Sequence, residues 1–186
     1  MFRVPCALFS WGREYVNLDG GGALYVYRPT HPAKDPYPAL LWIHSGGMIM
    51  GDARQDEAFL QLLSDKVGLL IASVQYRLAP ENPFPIPLDD CERAFNWLAA
   101  QPDVDSQCLA VGGASGGGGL AAALCQRLCS SLTRAPEFMP KFQHLTYPML
   151  DDRSSLASGP LDHMFRIWSR KDNSYGWASY LGENDP

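Results

Sequence analysis

The chain has 186 residues, of which 46% are hydrophobic, 11% aromatic and 19% charged. That is enough apolar material for one core and little more than one domain, which excludes disorder and fibrous repeats. Fifteen Lys and Arg against 20 Asp and Glu give a formal charge of −5 with no basic block, so no nucleic-acid partner is predicted. No stretch approaches the roughly 18 consecutive apolar residues that cross a bilayer. Val4 to Phe9 is shorter than a signal-peptide core, so no transmembrane segment is read and a soluble, cytoplasmic protein is expected. Cys6, Cys91, Cys108, Cys125 and Cys129 are an odd set at irregular spacing, which argues against a disulfide framework and fits a reducing compartment. Cys125 and Cys129 fall four apart on a predicted helix. Without a His or a second Cys pair at ligand spacing they read as helix packing, and neither a metal nor a cofactor is predicted.

Along the chain, Leu24 to Arg28 and Ala39 to His44 read as strands separated by the Pro-rich loop from Pro29 to Pro38. Phe59, Leu62, Leu63 and Val67 recur at helical spacing, with Gly68 as a stop. Leu69 to Tyr76 is a nearly continuous apolar run, the pattern of a strand buried on both faces of a parallel sheet. Pro80, Pro83 and Pro85 forbid helix, whereas Pro87 suits the first turn of a helix running through Leu88, Cys91, Phe95 and Leu98. Cys108 to Gly112 is the next strand, followed by a Gly-rich turn and a helix through Leu120, Ala121, Leu124 and Leu128. Phe142 to Tyr147 follows as a strand. Beyond Asp151 the periodicity weakens. The alternation predicts an α/β fold with a mostly parallel central sheet flanked by helices, in a single domain over residues 1–186.

Two short motifs carry chemistry. Gly113-Ala114-Ser115-Gly116-Gly117 is a G-x-S-x-G sequence between a buried strand and a helix, where a nucleophile elbow belongs. Such a turn needs small residues two before and two after the serine, because neighbouring backbone comes too close for side chains. The helix beginning at Gly116 directs its first N–H groups at the site, where they stabilise negative charge. His44-Ser45-Gly46-Gly47 directly follows a strand, and its glycines let backbone N–H groups approach a ligand.

With these residues in view, the sequence resembles the hormone-sensitive-lipase-like branch of the α/β-hydrolases, the fold-3 group of carboxylesterases and lipases. His44 to Gly47 resembles the H-G-G-G of that family, Tyr76 to Glu81 reproduces its Y-R-L-A-P-E, and Gly113 to Gly118 resembles its G-D-S-A-G-G. Tyr147 to Asp151, Gly176-Trp177 and Tyr180 to Gly182 extend the likeness over nearly the whole chain. The resemblance implies a serine hydrolase of small carboxylic esters, with Ser115 as nucleophile and Gly46, Gly47 and Gly116 as oxyanion donors. It also implies a structural role for His44. Ser45, Ala114, Gly116 and Gln75 depart from the residues usual in the family. Met48 and Trp168 are candidate substrate-binding residues, and Met50 is a further pocket candidate.

A serine nucleophile needs a base and an orienting carboxylate, which in this fold follow in the order Ser, acid, His. The stretch from Ser115 to Pro186 is expected to be too short to supply them. His31, His144 and His163 read as solvated or structural, and Asp151 and Asp152 as turn residues. The expectation is therefore an incomplete hydrolase fold, with its last strands and much of its cap missing, weak or inactive as it stands. The strand from Phe142 would then lie at or near an open edge, where self-association is expected. The alternative is a non-catalytic small-ligand-binding member of the same fold. A dinucleotide-binding reading of Gly112 to Gly119 fares badly, because the loop follows a late strand and no acidic residue follows at the required distance.

Overall fold

The computed structural model describes residues 14–31, 35–130, 138–155 and 167–183. Within them, six strands form one sheet: β1 (Glu14–Asn17), β2 (Ala23–Tyr27), β3 (Tyr37–Ile43), β4 (Leu70–Gln75), β5 (Val104–Ala114) and β6 (Phe142–Thr146). Four helices accompany them: α1 (Glu57–Val67), α2 (Ile86–Ala99), α3 (Gly116–Ser130) and α4 (Arg170–Leu181). A 3-10 turn spans Asp152–Ser155. The strand order is β1-β2-β4-β3-β5-β6. β1 and β2 are antiparallel to their neighbours, whereas β4, β3, β5 and β6 run parallel. The predicted α/β class holds.

β3 and β4 are buried along almost their whole length because helices cover both faces, which explains their largely apolar sequence. The main core lies between the sheet and α2 and α3, built on Leu41, Ile43, Val74, Phe95, Val111 and Leu124. The expected inward residues of α2 (Leu88, Cys91, Phe95, Leu98) and of α3 (Leu120, Ala121, Leu124, Leu128) are all buried. Asp90, wholly buried on α2, accepts hydrogen bonds from the backbone N–H (2.9 Å), Nε (3.0 Å) and Nη2 (2.8 Å) of Arg77, and from Arg93. Arg77 also reaches the Gly20 carbonyl. This cluster fixes the chain where it leaves β4.

Several expectations need correcting. Phe59, Leu62 and Val67 are exposed, at 49%, 56% and 58%; α1 instead turns Leu60, Gln61 and Ser64 inward. Leu60 packs with Tyr27, Trp42 and Ile71, while Gln61 donates to the Arg28 carbonyl and Ser64 to the Leu69 carbonyl. Two polar residues with backbone partners thus outrank a more regular apolar stripe. β5 begins at Val104, earlier than its apolar run, because Tyr37 pairs with Val104 before a register shift. β1 and α4 had no strong apolar signal. Cys6 and His163 lie outside the described residues.

Candidate active site

Ser115 sits between the last residue of β5 and the first of α3, with φ of +53°. A non-glycine residue in the left-handed region is strained and persists only when its surroundings hold it there. Three hydrogen bonds do so. The Ser115 N–H donates to the Thr146 carbonyl (3.0 Å), and the Ser115 carbonyl accepts from the N–H groups of Gly119 (3.0 Å) and Met149 (3.0 Å). The turn is tight enough that a Cβ on Gly117 would run into the carbonyl oxygens of Ile43 and His44. The serine itself is half-buried.

The loop leaving β3 folds back on itself. The Gly46 carbonyl accepts from the N–H groups of Ile49 (3.1 Å) and Met50 (3.0 Å). Gly46 has φ of +127°, and a Cβ there would strike the Met50 carbonyl, so only glycine fits. Ser45, at the first position of the family triplet, accepts a hydrogen bond from Gln55 (2.7 Å) and is absorbed without disturbing the turn. A Cβ on Gly116 would lie 2.9 Å from the Gly47 nitrogen and 2.8 Å from the Met48 nitrogen. The β3 loop therefore rests directly against the first residue of α3, with Gly47 and Met48 laid on Gly116, the residue after Ser115. Gln75, another departure from the family pattern, accepts from the Ala53 N–H (2.8 Å) and braces the chain beyond this loop.

Among the described residues, the non-glycine residues with positive φ are Met48, Ser115 and Tyr147. They occupy the loops leaving the carboxyl ends of β3, β5 and β6, three neighbouring parallel strands. Ligands of open α/β sheets bind at that end.

No described histidine is hydrogen-bonded to Ser115. His44 is wholly buried, its Nδ1 2.8 Å from the Ser45 carbonyl and its ring stacked 4.2 Å from that of Tyr76. The Tyr76 hydroxyl donates to the His44 carbonyl (3.1 Å). Burial holds the His44 pKa below its ordinary value, against the opposing pull of the Ser45 carbonyl and of Asp52 and Asp56, so the ring is neutral and structural. His144 is exposed on β6, with Nε2 3.0 Å from the Thr146 hydroxyl; His31 is exposed as well. Asp151 turns back onto Arg153, whose Nε–H···O bond of 2.8 Å lowers its pKa. Among the described residues, no side chain hydrogen-bonds the Ser115 hydroxyl, and no three His, Cys, Asp or Glu side chains group as metal ligands.

Comparison with known proteins decides the family. The profile of the alpha/beta hydrolase fold family matches residues 40–186. The chain belongs to the alpha/beta hydrolase fold family. It is 36% identical over 132 residues to ethyl acetate hydrolase of Pseudomonas putida, covering 68% of this chain and 40% of that protein. A solved bacterial heroin esterase superposes with a TM-score of 0.80 at 32% identity, over 96% of this chain and 58% of the other. An esterase from the bacterial hormone-sensitive lipase family superposes with a TM-score of 0.75 at 27% identity, over 94% of this chain and 56% of the other. The likeness to hormone-sensitive-lipase-like carboxylesterases is thereby established. The chain spans between 40% and 43% of the length of the curated relatives it matches first. No helix among the described residues is long and apolar enough to cross a membrane.

In this hydrolase fold, the two candidate substrate contacts take different places. Met48 is buried and lines an apolar groove of about 400 Å³ with Gly119, Ala123, Met149, Trp177 and Tyr180. Met50 is 54% exposed and does not line that groove. Trp168 packs its indole edge on Gly47. Sequence reasoning missed the strained Tyr147, since nothing in a Tyr-Pro pair announces a left-handed tyrosine. Gly176 was noted only for its family likeness, not for its packing against the Gly47 carbonyl.

Proposed function

We propose that Ser115 is the nucleophile of a carboxylic ester hydrolase and that the N–H groups of Gly46, Gly47 and Gly116 form its oxyanion hole. The observation that carries this reading is the meeting of two motifs distant in sequence, with Gly116 laid against Gly47 beside a strained serine. The Ser115 oxygen would add to the ester carbonyl, placing negative charge on the carbonyl oxygen, where backbone donors and the α3 dipole stabilise it. Collapse then releases the alcohol and leaves an acyl-serine, which water hydrolyses. The apolar groove beside Met48 and Gly119 suits the hydrophobic part of a small ester.

Hydrolysis of para-nitrophenyl butyrate by the protein isolated from its source, compared with the same protein carrying Ser115→Ala, tests this reading. A fall of at least about a thousandfold is expected, and equal rates would overturn the assignment. A second reading, a non-catalytic binder of small hydrophobic ligands, draws on the groove and on a Ser115 hydroxyl that has no side-chain partner among the described residues. Its mark is saturable ligand binding that Ser115→Ala leaves intact, with no Ser115-dependent hydrolysis.

A further inference from the structure

The loop that carries Gly46 and Gly47 is held from two sides. On one side lies Gly116. On the other, the Cζ2 edge of Trp168 comes within 2.5 Å of where a Gly47 Cβ would stand, with Cη2 nearer still, so the indole occupies the space a side chain would take. A Cβ on Gly176 of α4 would lie 3.2 Å from both the Gly47 carbonyl oxygen and Trp168 Cζ2, which places the helix against the same peptide. The indole is itself anchored. Its Nε1 donates to Asn173 Oδ1 (3.2 Å), and Asn173 Nδ2 donates to the Ser154 hydroxyl (3.2 Å), which bonds the Asp151 carbonyl (2.6 Å) in the turn beyond β6. A capping box between Ser169 and Asp172 fixes the start of α4 beside it.

We propose that Trp168 is a positioning residue for the oxyanion loop: its indole edge, seated where Gly47 has no side chain, keeps the Gly46 and Gly47 N–H groups directed at the site. The proposal rests on the reading of Ser115 and this loop as a hydrolase site. Two consecutive glycines at positive φ have wide conformational freedom, and oxyanion donors act only when held in place before the charge develops. The indole supplies the restraint that the glycines lack.

Amide exchange in the 186-residue chain reads the restraint directly. Trp168→Ala is expected to speed exchange at Ile49 and Met50, whose N–H groups close the turn on Gly46, by about tenfold or more. Leu41 and Val111 in the sheet should keep their rates, and Trp168→Phe should restore most of the protection. Unchanged exchange at Ile49 and Met50, or an equal rise across the sheet, overturns the proposal. In protein that hydrolyses para-nitrophenyl acetate, Trp168→Ala should lower kcat about tenfold, with KM changed by less than about twofold. A raised KM at constant kcat overturns positioning and makes the indole a substrate wall. Ser115→Ala separates the two readings, since it should abolish hydrolysis while leaving loop exchange unchanged. Hydrolysis that survives Ser115→Ala refutes the hydrolase assignment, and the exchange rates still decide for or against Trp168.

Discussion

A Cβ placed on Gly113 would stand 2.5 Å from the carbonyl oxygen of Gly117, so the strand entering the elbow and the helix leaving it touch backbone to backbone. The Ile43 carbonyl lies 2.8 Å from the same point. Neither neighbour is a flexible side chain that could move aside. Gly113→Ala should therefore destabilise the fold by about 1–3 kcal/mol, the usual cost of overpacking. For a domain of this size, that is a fall in Tm of at least about 2 °C. Thermal denaturation followed by circular dichroism checks it, and an unchanged or raised Tm would show that the elbow is looser than it looks.

The contact between Gly47 and Trp168 predicts non-additivity. Gly47→Ala alone meets the indole and should cost about 2 kcal/mol or more from the clash and from the positive φ of +59°. With Trp168 already replaced by Ala, the same change should cost about 1 kcal/mol less, because only the backbone strain remains. Urea denaturation of the four proteins in the cycle gives the coupling, and simple additivity would mean that the two residues do not share that space.

His44 gives a pH dependence with a definite sign. Burial lowers its folded pKa from 6.5, so as the pH falls through that value the unfolded ring takes up its proton before the native ring does. The unfolded state thus binds more protons, and stability drops below pH 6.5 by up to about 1.4 kcal/mol per unit. Above that pH the group contributes no slope. Denaturant midpoints measured from about pH 7.5 to about pH 5.5 should decline less steeply in His44→Asn than in the parent. Parallel slopes would mean that burial does not lower the native pKa of His44.

Among the described residues β6 pairs with no strand but β5, and Phe142 at its start is 63% exposed. An exposed edge strand with an apolar side chain recruits other strands. Self-association of the 186-residue chain at micromolar concentration is expected in sedimentation velocity, and Phe142→Lys should weaken it by about tenfold. A monomeric parent would refute the prediction.

The sheet was largely readable from the sequence, because β2, β3 and β4 are runs rich in apolar, aromatic and β-branched residues that the tertiary fold then buries. Both chemical motifs were readable for a different reason: close backbone approach leaves glycine as the residue that fits, and glycines are visible in sequence. β1 was not readable, since Glu14 to Asn17 are mostly exposed and become a strand only by pairing with β2. α4 has almost no apolar face, yet Ser169 three residues before Asp172 and the closing Gly182 are start and stop signals that could have placed it. The face of α1 was misread because Gln61 and Ser64 are buried through hydrogen bonds, which hydrophobic periodicity does not register. Trp168 was recognisable as a candidate contact, but not its partner, because no spacing rule joins residue 168 to residue 47.

The hydrogen bond from the Ser115 N–H to the Thr146 carbonyl couples the serine turn to β6, the last strand in sequence among the described residues. A chain still emerging from the ribosome, or one cut between α3 and β6, holds the serine without the carbonyl that keeps it in its strained conformation. Serine geometry is thus acquired only once β6 is in place, and a reagent selective for that geometry would count molecules that have reached that stage and ignore those that have not.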